Sequence, residues 1–133
     1  MDGHLAPAIE LLRKDIPGLA GVYLFGSQAR GAARPSSDVD LAIFAHREIE
    51  PGRLAGAREA IARLLPRKVD LVDLAVADTV LQMQVLEDGV LVAADDAAAV
   101  GNFELRVLHD YRDLKIRRAD IEADIVKRGR VHA

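Results

Sequence analysis

Residues 25–41 read FGSQARGAARPSSDVDL: a Gly-Ser pair, ten intervening residues, then two aspartates one residue apart, with hydrophobic sequence on both sides. Upstream, LAGVYLFG is rich in β-formers and stops at Gly26, the pattern of a buried strand. Downstream, DVDLAIFA has the same character, so the two aspartates fall inside a second strand. Side chains two apart on a strand share a face, so Asp38 and Asp40 present their carboxylates together while Val39 and Leu41 turn into the core. Like charges held side by side repel, and partial burial sharpens the repulsion. The pairing calls for a cation. With oxygen donors only and no cysteine or histidine close by in sequence, Mg²⁺ or Mn²⁺ suits the pair better than zinc.

A third acid would complete such a site, and KVDLVDL (residues 68–74), a third strand, offers Asp70 and Asp73 on opposite faces. Asp70 lies within the strand between Val69 and Leu71 and is the candidate; Asp73 sits near the strand end, where an exposed acid or a cap is ordinary. Gly26 allows a tight turn and a close approach to a ligand. Ser27 can cap a short helix through Gln28, Ala29 and Arg30, whose N–H groups could hold phosphate oxygens. Arg30 or Arg34 could neutralise phosphate charge, or either could be a surface residue. The motif is neither a P-loop, since GK[ST] is missing, nor a Rossmann fingerprint, since GxGxxG is missing.

Around this centre the remaining elements follow from periodicity. Leu5, Ile9, Leu12 and Ile16 mark an amphipathic helix ended near Pro17-Gly18. Pro51 opens a second helix whose stripe is Leu54, Ala57, Ile61 and Leu64-Leu65. Val80, Leu81, Val85 and Leu86 suit a helix ended by Gly89, followed by GVLVAA as a short fourth strand. Phe103, Val107, Tyr111, Leu114, Ile121 and Ile125 give a long last helix with one apolar face, interrupted by Arg118. The implied class is α/β, a compact sheet with helices packed on it.

Composition narrows the function. The 133 residues hold no cysteine, which excludes disulfides and thiolate metal sites. The net charge of -3 is divided unevenly: residues 1–103 hold ten Lys/Arg against fifteen Asp/Glu, residues 104–133 eight against six. Neither part has the strongly basic face that direct nucleic-acid binding requires. No run is long and apolar enough for a membrane span, and the acid-bearing start reads as a helix rather than a signal peptide, so a cytoplasmic location is expected.

GSQARGAARPSSDVDL resembles the GS-x10-DxD signature of the DNA polymerase beta-type nucleotidyltransferase superfamily. The GSxARG form, the short chain and the KVDLVDL strand are similar to the minimal nucleotidyltransferases, the MntA-like antitoxins of modules whose toxin is a HEPN-domain ribonuclease. The resemblance implies a polymerase beta-like fold with a small mixed sheet, formed by residues 1–133 as one minimal domain with residues 98–128 as its long closing helix. It implies that Gly26 and Ser27 grip the nucleotide, and Arg30 is the basic residue expected to bind it beside them. Asp38, Asp40 and Asp70 would hold Mg²⁺, or Mn²⁺, and Asp70 would help deprotonate the acceptor. The implied activity is transfer of AMP from ATP to a tyrosine of the partner toxin. Alternatives are an antitoxin that acts by occlusion, a nucleotidyltransferase with a small-molecule or RNA acceptor, and a metal-binding α/β domain without defined activity.

Overall fold

The computed structural model describes residues 5–26, 38–65 and 67–132, with backbone only beyond residue 127. Four helices and four strands follow one another along them: α1 (Ala6–Asp15), β1 (Leu19–Phe25), β2 (Val39–Ala45), α2 (Pro51–Leu64), β3 (Val69–Asp73), α3 (Thr79–Asp88), β4 (Val90–Ala94) and α4 (Ala97–His132). The strands form one sheet in the order β3-β2-β1-β4. β1 runs antiparallel to both neighbours, and β2 and β3 are parallel, joined across α2.

The helix limits follow local chemistry. Pro51 starts α2 after Glu50, where its missing N–H costs nothing. The Asp78 side chain caps α3 by accepting from the Leu81 amide at 2.8 Å, and Gly89 ends that helix. β-Branched and aliphatic residues fill the two inner strands, whose burial is nearly continuous because helices cover both faces.

Two cores result. On one face Leu5, Leu12 and Ile16 of the α1 region and Ile61 of α2 meet Val22, Leu24, Leu41, Ile43 and Leu71. On the other, Val85 of α3 and Val100, Phe103 and Val107 of α4 meet Tyr23 and Ala42. Phe103 stacks on Phe44 with ring centroids 4.4 Å apart. α4 comes close to β1 because Gly21 has no side chain: a Cβ there would lie 2.7 Å from Val100 Cγ2. A register irregularity between Leu19 and Gly21 turns the following residues to their proper faces.

Four apolar positions depart from the sequence expectation. Leu64 is exposed at the end of α2. In α3 Val80 is exposed and Gln82 is buried instead, its Nε2 donating to the Leu74 carbonyl at 2.8 Å. In α4, burial ends at Val107: Ile121 and Ile125, which continue the same stripe, are 59% and 54% exposed because the helix outruns the sheet.

Candidate active site

Three chain positions converge at one end of the sheet: the end of β1, the start of β2 and the start of β3. Phe25 pairs with Asp40 across β1 and β2, and Asp40 pairs with Asp70 across β2 and β3. Because adjacent strands lie about 4.8 Å apart, in-register residues on one face are immediate neighbours. Asp38 stands directly before β2, exposed, two residues from Asp40. The register thus puts the positions of Asp38, Asp40 and Asp70 at one end of the sheet.

Their environments differ. Asp70 is exposed, whereas Asp40 is partly buried. The Asp40 carboxyl is held above the ordinary carboxylate range, first by burial, then by the charges of Asp70 and Asp38. Lys68, a residue that the sequence reading passed over, pulls in the opposite direction.

Gly26 closes this corner. Its φ of +76° is a left-handed conformation that favours glycine, and a Cβ at that position would overlap the Asp40 carboxylate. The glycine therefore serves the turn and the aspartate at once. Ser27, Arg30 and Arg34, together with the short helix expected after Ser27, lie outside the described residues.

Asp73 takes no part. It faces the other side of the sheet, paired in register with Ile43, and is buried rather than exposed. Its carboxylate accepts from the Ala75 amide at 3.1 Å, which fixes the turn after β3. Burial raises its carboxyl above the usual range, that amide lowers it, and Glu48 raises it again.

The donor set bears on the ion that such chemistry needs. Three carboxylates supply only hard oxygen atoms, the donor type that suits a divalent hard cation. Among the described residues, no three His, Cys, Asp or Glu side chains already converge as a cage. Nor, among them, is any helix long and apolar enough to cross a membrane.

Comparison with known proteins agrees with this geometry. The family model for polymerase beta nucleotidyltransferases matches residues 8–98. The protein adenylyltransferase MntA of Shewanella oneidensis is 34% identical over 121 residues, covering 89% of this chain and 84% of that protein. A toxin–antitoxin crystal structure with AMP-PNP superposes with a TM-score of 0.79 at 31% identity, covering 94% of this chain and 98% of its counterpart. The MNT antitoxin in complex with the tri-AMPylated HEPN toxin of Shewanella oneidensis gives 0.77 at 30% identity, over 95% and 99% of the two chains. The chain belongs to the polymerase beta-type nucleotidyltransferases and, within them, to the MntA-type protein adenylyltransferases of HEPN/MNT toxin–antitoxin modules.

Proposed function

We propose that residues 1–133 act as one minimal enzyme that transfers AMP from ATP to a tyrosine of a cognate HEPN toxin and thereby silences it, in the cytoplasm. The observation that carries this reading is the β2–β3 register, which sets Asp40 beside Asp70 at the sheet end where Gly26 leaves room. Family membership and the AMPylated toxin of the Shewanella complex supply the acceptor class.

Asp38 and Asp40 would hold Mg²⁺, with Asp70 beside them as the third carboxylate. When bound, the ion neutralises charge on the triphosphate and on the departing pyrophosphate. Asp70 would accept the proton of the tyrosine hydroxyl, a role supported by its exposure and its register with Asp40. The tyrosine oxygen bonds to the α-phosphorus, the bond from that phosphorus to the α,β-bridging oxygen breaks, and pyrophosphate leaves with the electron pair. Gly26, followed by Ser27 and Arg30 in sequence, brings backbone close to the phosphates. Catalysis rests on positioning and charge rather than on a covalent enzyme intermediate.

The test is the intact mass of the partner toxin after incubation with this protein, Mg²⁺ and ATP. One or more AMP additions are expected, and the Asp38→Asn/Asp40→Asn variant abolishes them. An unmodified toxin that is nonetheless neutralised in a stable complex refutes the enzymatic reading.

A further inference from the structure

The register that joins Asp40 to Asp70 also fixes a basic residue beside Asp38. Val39 is in register with Val69, and the Val39 amide donates to the Lys68 carbonyl at 2.9 Å, so the residues preceding each strand lie side by side. Lys68 stands two residues before Asp70, as Asp38 stands two before Asp40. The four charged side chains therefore form two rows at one sheet end: Asp38 with Lys68, and Asp40 with Asp70. Lys68 is exposed, and the register sets it at the same sheet end as the three carboxylates.

A cation there has two consequences of opposite sign. Toward a metal ion it is a competitor, since it offsets the same negative charge that would draw the ion in. Toward a triphosphate it is an attractor, since an ammonium with three donors beside the carboxylates meets phosphate oxygens once the acids are engaged. A lysine that merely decorated the surface would affect neither.

We propose that Lys68 is a nucleotide-binding residue of the transfer site: from the sheet end that carries Asp38, Asp40 and Asp70 it reaches a phosphate oxygen of the nucleotide when Mg²⁺ engages the carboxylates. This rests on the adenylyltransferase reading and extends it to a residue outside the signature.

The test compares the unaltered protein with Lys68→Met and Lys68→Arg in two equilibrium measurements, neither of which is turnover. One is Mn²⁺ binding without nucleotide, followed by the electron paramagnetic resonance signal of the free ion. The other is binding of AMP-PNP in saturating Mg²⁺, followed by calorimetry. Lys68→Met is expected to bind bare Mn²⁺ about fivefold more tightly, the effect of removing one unit charge a few ångströms away in a wet site. The same variant is expected to bind Mg·AMP-PNP about tenfold more weakly, the scale of one charge-assisted hydrogen bond. Lys68→Arg should restore both constants most of the way. Constants unchanged in Lys68→Met, or both weakened together, overturn the assignment; the second pattern would mark a lysine that only supports the strand ends. If the unaltered protein binds no Mg·AMP-PNP, the adenylyltransferase reading falls and this inference with it. Tight binding by the unaltered protein with no change in the variant removes the inference alone.

Discussion

Asp40 sits where stability and chemistry conflict. Its carboxyl is held above the ordinary carboxylate range by burial and by two like charges, so ionising it costs the metal-free fold some stability. The sign follows from linkage. Between the ordinary value in the unfolded chain and the raised value in the fold, the folded state binds more protons, so stability falls as pH rises through that window and stays lower above it. Asp40→Asn removes the penalty. At neutral pH without metal, the variant is expected to melt on the order of a few °C higher than the parent, with the gain shrinking as pH drops below the ordinary carboxylate range. Thermal melts across pH check this; a variant that melts lower at pH 7 contradicts it. At this scale the acids were readable beforehand, because alternation in a strand places Asp38 with Asp40 and sets Asp70 apart from Asp73. The Gly26–Asp40 contact was not readable: that a Cβ at residue 26 would strike a side chain fourteen positions later depends on how β1 and β2 pair. Lys68 escaped for the same reason, since its relation to Asp38 exists only through the β2–β3 register.

Among the elements, the strands were legible from composition and the helices from apolar spacing, but the partner of each apolar residue was not. α4 illustrates the difference. Its stripe continues from Phe103 past Ile121, interrupted by Arg118, yet the sheet beneath it is short and, among the described side chains of the helix, only Val100, Phe103 and Val107 are buried. The repeat reports which face is apolar, not how far the neighbour extends. In α3, Gln82 took a buried position because the Leu74 carbonyl needed a donor, a requirement invisible in a helical wheel. The energetic weight of α4 therefore lies in its first three turns. Ending the chain after residue 115 is expected to lower the melting temperature by only a few °C, whereas Val107→Ala in the full chain is expected to cost on the order of 1–3 kcal/mol through lost packing. Parallel melts of the two variants decide it; a truncated chain that fails to fold would show that the exposed half contributes to the body.

Taken as a whole, the described residues form a four-stranded sheet between two helical layers, with Asp38, Asp40 and Asp70 at one sheet end and the His46–Asp96 pair, 2.9 Å apart, linking the end of β2 to the start of α4 elsewhere. The alternating order of elements foretold a sheet covered by helices, while the order β3-β2-β1-β4 and the mixture of parallel and antiparallel neighbours had to be seen. That mixture governs when the site comes into being. The antiparallel pairing of β1 with β2 and of β1 with β4 does not bring Asp70 to Asp40; only the parallel contact does, and it must wait for the segment containing α2 to cross from one strand to the other. Closing so long a connection is entropically slower than winding helices. After dilution from denaturant, the far-ultraviolet helical signal is therefore expected to recover ahead of nucleotide binding; simultaneous recovery in stopped-flow would contradict this. A newly made chain would then be collapsed and largely helical for a time while its partner remained unchecked, and the interval before neutralisation would be set by the docking of one short strand.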